Sequence, residues 1–324
     1  MSTVTQIPPL VTVFGGSGFL GRHVVQALAR RGYRIRVACR RPDLAGHLQP
    51  LGNVGQIQPV QANLRARWSV DRAVAGADHV VNLVAILHEG GRQRFDAIHS
   101  FGARAVAEAA RAEGASLVHV SAIGADPQSP AHYARSKAAG EQAVLETLPD
   151  AVIFRPSIMF GPEDGFFNRF ATMARYTPAL PLIGGGHTRF QPVYVADVAE
   201  AIARAVDGEV AGGRIYELGG PESLTFRQCM ERMLATIDRK RWLVPVPWFI
   251  ARLQGAILGL LPKPVLTSDQ VKLLQADNVV SAEAERDGRT LTGLGIRPKS
   301  IEAILPSYLW TYRPAGQFTK PQQG

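Results

Sequence analysis

The sequence predicts an α/β fold, a doubly wound parallel sheet with a smaller, mostly helical C-terminal domain. Three observations carry that expectation. In the first half, short β-rich runs alternate with helical patterns, the order in which a parallel sheet and its crossover helices are written. A glycine-rich turn, Gly15 to Gly21, stands between the first apolar run and the first helical pattern. After Arg155-Pro156 the rhythm changes, and Pro/Gly loops separate the remaining patterns. The expected division is 1–165 for the sheet domain, with segments near 190–222 returning to it. The smaller domain then covers 166–312, and 313–324 form a flexible polar tail.

Taken in order, Leu10–Phe14 reads as strand one and Gly21–Ala29 as a helix with Leu20, Val24, Val25 and Leu28 on one face. Arg34–Cys39 is strand two and Gln56–Val60 a weaker strand three. Ser69 is placed to cap the helix that runs through Ala77. His79–Val84 is strand four, Phe95–Glu113 a long alanine-rich helix, Ser116–Ser121 strand five and Tyr133–Glu146 another helix. Ala151–Phe154 is strand six. Beyond it, Gly165–Arg175 reads as a helix and Pro178–Gly186 as a loop. Val193–Val206 reads as a strand turning into a helix, and Tyr216–Leu218 followed by Thr225–Ile237 repeats that pattern.

Composition bounds the function. The chain has 324 residues, 46% hydrophobic and 19% charged, enough apolar material for a sizeable core. Cys39 and Cys229 lie far apart without CxxC spacing, which points to a reducing compartment and no disulfide framework. The eight histidines form no ligand-spaced pair, so no metal is expected. Met1–Leu10 is too polar and short for a signal peptide, and no apolar run is long enough to cross a bilayer. The net charge of +9 suits an acidic ligand, an anionic membrane surface or an acidic partner. The basic residues are scattered without a nucleic-acid motif, so nucleic acid is not an expected partner.

The turn Gly15-Gly16-Ser17-Gly18-Phe19-Leu20-Gly21 lets the backbone approach a pyrophosphate, and the following helix offers free N–H groups and its positive end. At the end of strand two an acidic residue would hold the ribose hydroxyls of NAD. Here Arg40-Arg41 stand instead, with Asp43 behind Pro42 as a poorer candidate, so NADP(H) is expected over NAD(H). Tyr133 and Lys137 are four apart and share a helix face. An ammonium beside a phenol lowers the phenol's pKa, which equips it to pass a proton. Glu163-Asp164 diverge as neighbours and read as loop caps, and Gly184-Gly185-Gly186 as a plain loop. Trp248–Leu261 reads first as a buried helix. The alternative is a helix on a membrane surface or a membrane-bound partner, helped by Arg239-Lys240-Arg241 and Lys263.

With GGSGFLG, Val120-Ser121, YARSK and Arg155-Pro156-Ser157 the chain resembles the short-chain dehydrogenase/reductase superfamily, in its extended and atypical branches. That resemblance implies a Rossmann sheet and, for any catalysis, Tyr133 as proton donor or acceptor, Lys137 orienting it and Ser121 beside them. It implies cofactor contacts at Gly15, Ser17, Gly18, Phe19, Leu20, Gly21, Arg40, Arg41, Asn63, Val84, Ala85, Ser121, Tyr133, Lys137, Pro156 and Ser157. Three positions depart from its pattern. Ile123 stands where a hydroxyl is usual, Asn63 where an aspartate is common, and His99 where an asparagine is.

The segments Phe154-Arg155-Pro156-Ser157-Ile158-Met159-Phe160-Gly161-Pro162-Glu163-Asp164 and Gln191-Pro192-Val193-Tyr194-Val195-Ala196-Asp197-Val198 look like the alpha-subcomplex subunit nine family of respiratory complex I. That closer resemblance implies NADPH held without turnover. It also implies peripheral-arm subunits as partners and a place on the cytoplasmic or matrix-equivalent side, attached to the membrane through a partner. An NADPH-dependent reductase acting on a carbonyl, in quinone or isoprenoid metabolism, is the alternative.

Overall fold

The structure is a computed structural model that describes residues 7–259, 261, 264 and 266–315. Lys263 and most of the tail expected to fray lie outside those residues. β1 (Leu10–Phe14) is buried from Val11 onward and runs into the glycine turn. α1 (Phe19–Arg30) follows, burying Leu20, Val24, Val25 and Leu28, as its 3.6-residue apolar spacing requires. Two 3₁₀ turns separate β2 (Arg34–Cys39) from β3 (Ile57–Gln61). Then come α2 (Arg67–Val74), β4 (His79–Asn82), α3 (Phe101–Glu113), β5 (Ser116–Val120), α4 (His132–Thr147) and β6 (Val152–Pro156). The chain continues through β7 (Met159–Phe160), α5 (Phe167–Tyr176), β8 (Ala179–Ile183), β9 (Arg189–Phe190), β10 (Val193–Tyr194), α6 (Val195–Val206) and β11 (Arg214–Leu218). After β12 (Leu224–Thr225) come α7 (Phe226–Thr236), β13 (Trp242–Val246) and α8 (Trp248–Leu258). The last helices are α9 (Ser268–Leu273), α10 (Ala282–Arg286) and α11 (Ile301–Leu309).

Seven strands form one parallel sheet in the order β11-β6-β5-β4-β1-β2-β3. Val11 and Val13 of β1 face Ile35 and Val37 of β2, and Val13 also stands beside Val81 of β4. Apolar runs of this kind are what a sheet covered on both faces demands. β3 is weaker in sequence because it is an edge strand, where Pro59 removes no needed ladder bond. From β1 the chain moves outward to β2 and β3, then returns to β4 on the other side of β1. The C-terminal ends of β1 and β4 therefore bracket a topological switch point, where such sheets open a crevice.

The chain divides into two compact units. One comprises the described residues up to Arg155 with Val198–Tyr216; the other comprises Pro156–Asp197 with the described residues from Glu217 onward. In the first, Arg31 at the end of α1 donates to Glu200 and Asp207, tying α6 to it. The second packs around Phe160, Phe167, Phe190, Phe226, Met230, Met233, Leu305 and Leu309. Asp164 organises the entry to α5: its carboxylate accepts from the Gly161, Phe166 and Asn168 amides and from the Tyr308 hydroxyl at 2.6 Å.

Four expectations need correction. Ser69 lies inside α2 rather than capping it; Ala66 is the cap residue, and the buried Ser69 hydroxyl donates to the Ala66 carbonyl while accepting from the Asn63 amide. The stretch expected as the loop Pro178–Gly186 contains β8, which pairs in parallel with β13. The helix expected from Phe95 begins as a π-helical turn, Asp96–Ser100, before α3. α8 is not a buried helix: it buries only Ala251 and Gly255. No helix among the described residues is long and apolar enough to cross a membrane.

Candidate functional site

The glycine turn sits at the switch point. Gly15 has φ 78° and donates its N–H to the Ala38 carbonyl at the end of β2. A Cβ on Gly15 would come 3.2 Å from the Val84 side chain, so the turn lies directly against the segment after β4. A Cβ on Gly21 would come 2.3 Å from the Gly15 carbonyl, which makes glycine the only residue that lets α1 start this close to the turn. Gly18 is the N-cap and no side chain caps the helix, so its positive end is left for a ligand. The Ser17 side chain hydrogen-bonds Cys39, and burial pushes the Cys39 thiol up. Leu20 points into the core, so only its backbone can serve a ligand. Phe19 meets His23 edge-on with centroids 6.1 Å apart.

At the end of β2, Arg41 is bound by Asp43 through N–H···O contacts of 2.8 and 3.0 Å. Arg40 is exposed and makes no ion pair among the described residues. One of the two adjacent cations is thus compensated and the other is not. Asn63 is tied into its own loop: its Oδ1 accepts from the Arg65 amide and its N–H donates to Ser69.

The second wall is built from the ends of β4 and β5 and from α4. Lys137, buried on α4, donates from Nζ to the Val120 carbonyl at 3.2 Å. Its pKa is pushed down to about 8 by burial, with nearby Glu141 opposing. Glu141 is itself held by Arg155 in a two-pronged pair at 2.8 and 2.6 Å. Ser121 follows Val120; its Oγ is buried and has no partner among the described residues. An orphaned hydroxyl and an ammonium with one protein acceptor, next to each other at a strand end, suit a sugar or amide group that would complete them.

Tyr133 is half-buried, with its ring edge-on to those of Phe95 and His99. The lysine was expected to lower its pKa; burial instead pushes the phenol up to about 12. The cause is the removal of a phenolate from water, which favours the neutral phenol.

Spacing did not reveal two further groups. His99, in the π-helical turn, accepts the Ile86 amide on Nε2, and its Nδ1 lies 2.9 Å from the Ser136 Oγ. Ser136 in turn donates to the Tyr133 carbonyl at 2.8 Å, so the histidine carries its proton on Nδ1. His119 accepts from the Asn82 amide nitrogen at 3.2 Å, and Asn82 Oδ1 accepts from the Val84 amide. These two links fix the Val84–Ile86 segment, where Ala85 is exposed between them. Ser157, expected among the cofactor contacts, is engaged elsewhere: its Oγ contacts the Asn278 carbonyl and Oδ1 at 2.8 and 2.7 Å and accepts from the Gln191 amide. That hydroxyl is a cross-link of the second unit. Pro156 is the last residue of β6.

The sequence pattern of the NAD dependent epimerase/dehydratase family matches residues 11–219. The mitochondrial NADH dehydrogenase [ubiquinone] 1 alpha subcomplex subunit 9 of Arabidopsis thaliana is 36% identical over 320 residues, 95% of this chain and 79% of that protein. A ceramide reductase of Caulobacter vibrioides is 35% identical over 190 residues, 59% of this chain and 58% of its own length. Among solved structures, the UDP-glucose 4-epimerase of Thermus thermophilus in complex with NAD superposes with a TM-score of 0.68 at 23% identity, covering 94% of this chain and 99% of that one.

Proposed function

This chain belongs to the NAD-dependent epimerase/dehydratase family, within it to the group of complex I alpha-subcomplex subunit 9, and on that premise we propose that it is an NADP(H)-holding accessory subunit or assembly factor of respiratory complex I. The observation that carries this reading is the extent of the similarity. The family pattern stops at residue 219, whereas the likeness to the subunit 9 protein runs over 320 residues and so takes in the second unit.

The first unit's residues would hold the nucleotide as follows. The backbone of Gly15 to Gly21 and the open end of α1 take the pyrophosphate. Arg40, uncompensated, takes the 2′-phosphate, and this favours NADP(H) over NAD(H). Lys137 and Ser121 offer donors to the ribose and nicotinamide end. A bound nicotinamide supplies hydride chemistry, but the groups around it are poorly set for turnover. The buried side chain at 123 is isoleucine, which has no hydroxyl to assist proton transfer. The nucleotide then acts as a structural ligand that favours the folded state. The protein would sit on the cytoplasmic or matrix-equivalent side, attached through its peripheral-arm partners.

A reductase is the second reading, favoured by the Tyr133-Ala134-Arg135-Ser136-Lys137 stretch and by the ceramide reductase relative. One experiment separates them. The protein is isolated gently from its native membranes and followed on native gels, and its nucleotide content and NADPH consumption are measured with candidate carbonyls. Co-migration with complex I, with bound NADPH that no carbonyl oxidises, is the expected result. A free protein that consumes NADPH, and stops doing so in Tyr133→Phe, overturns it. Arg40→Ala should weaken NADPH binding by about tenfold or more and leave NADH binding within about twofold.

A further inference from the structure

α8 is fastened to the second unit by small residues on one side. Ala251 and Gly255 are buried, and a Cβ on Gly255 would lie 3.1 Å from the start of α9. Trp248 packs so closely on Gly184 that a Cβ there would overlap its ring. The opposite side carries Phe249, Leu253 and Ile257, four residues apart and 72%, 63% and 59% exposed. They form one apolar line along the helix. In the same unit, Trp242 and Val244, alternate residues of β13, are 75% and 46% exposed, and Tyr176 stands exposed at the end of α5. An exposed apolar line of this length is not an ordinary solvated helix face.

Charge decides what covers it. From Arg239 to Ser268 the sequence holds Arg239, Lys240, Arg241, Arg252 and Lys263 and no carboxylate. Arg239 donates to the Tyr312 carbonyl and Arg241 to the Ala174 carbonyl, so both guanidinium groups are held by neutral acceptors. Arg175 adds a further cation there, and its repulsion with Arg241, after burial, lowers the pKa of Arg239. Eleven residues of helix span only about 16 Å, half of a bilayer's hydrocarbon core, so α8 can lie in an interface and cannot cross it.

We propose that this face binds an anionic lipid surface directly, with α8 in the plane of the interface, Phe249, Leu253 and Ile257 among the acyl chains and the 239–241 cations at the phosphates. A bilayer asks for apolar area, interfacial tryptophan and positive charge, and this part of the second unit offers all three, with five cations between the flanking Asp238 and Asp269. The inference adds a direct lipid contact to the peripheral location proposed above, and it can fail separately from the complex I reading.

The test is flotation of the purified full-length protein with vesicles of phosphatidylcholine containing phosphatidylglycerol, against phosphatidylcholine alone. The wild type should float with the anionic vesicles and less so as salt is raised. Phe249→Ser combined with Leu253→Ser should weaken partitioning more than about tenfold, and Lys240→Gln by about fivefold. Thermal midpoint and NADPH affinity, measured on the same variants, should stay at wild-type values. Wild-type protein that ignores anionic vesicles overturns the proposal, as does a double variant that binds them equally well. So does a double variant that leaves native membranes when the wild type binds no vesicle, which would assign the face to a protein. Vesicle flotation without complex I co-migration would sink the subunit reading and sustain this one.

Discussion

His99 and His119 are buried imidazoles kept neutral by burial and by the positive charge of Lys137. Each has its folded pKa well below the ordinary value, and His119 is pushed down to about 3. The unfolded chain takes up these protons near pH 6.5, while the folded one refuses them until far stronger acid. Their contribution is therefore fully present above pH 6.5 and lost as the pH falls below it. The loss is about 1.4 kcal/mol per histidine one pH unit down. The denaturant midpoint should fall steadily from pH 7 to pH 5, and His99→Asn should flatten that slope; a slope unchanged in the variant would show that His99 is not one of the groups responsible. Both histidines matter because they hold the backbone facing Gly15, one through Ile86 and the other through Asn82 and Val84.

At the scale of the element, α7 shows how a local signal becomes a boundary. Thr225 accepts from the Gln228 amide and Gln228 reaches back to the Thr225 amide, closing a capping box. Thr225→Ala should cost about 1 kcal/mol in chemical denaturation and leave nucleotide affinity unchanged. Signals of this kind made much of the fold legible. β1, β2 and α1 were readable because burial forces a periodic apolar pattern on contiguous residues. β8 was not: Pro178, Pro181 and the three following glycines look like a loop, and its partner β13, with Pro245 inside it and Pro247 just after it, lies far away in sequence. The outward apolar face of α8 was equally hidden, since composition does not say which side a helix turns to its neighbours. In the candidate site, the glycine turn and the Tyr133/Lys137 pair were legible because each is local. The Asn82–His119 and His99–Ser136 bonds join residues 37 apart in each case, and no short motif records them.

For the molecule as a whole, a ligand that binds only the folded state stabilises it in proportion to the logarithm of its concentration. NADPH at a hundred times its Kd should add about 2.7 kcal/mol, read as a higher midpoint in calorimetry, with a smaller gain from NADH at the same concentration. An unmoved midpoint would count against nucleotide binding altogether. The division of the chain has a further consequence. Each unit is assembled from two separated stretches, and the sheet's outer strand β11 is reached only after an excursion through Pro156–Asp197. Translation must therefore carry the nascent chain past residue 218 before the sheet can close. Ile301, Leu305 and Leu309, which fill the second core, emerge later still. During synthesis Phe160 and Phe167 must wait for partners that the ribosome has yet to deliver, a long interval in which chaperones would find these aromatic residues uncovered.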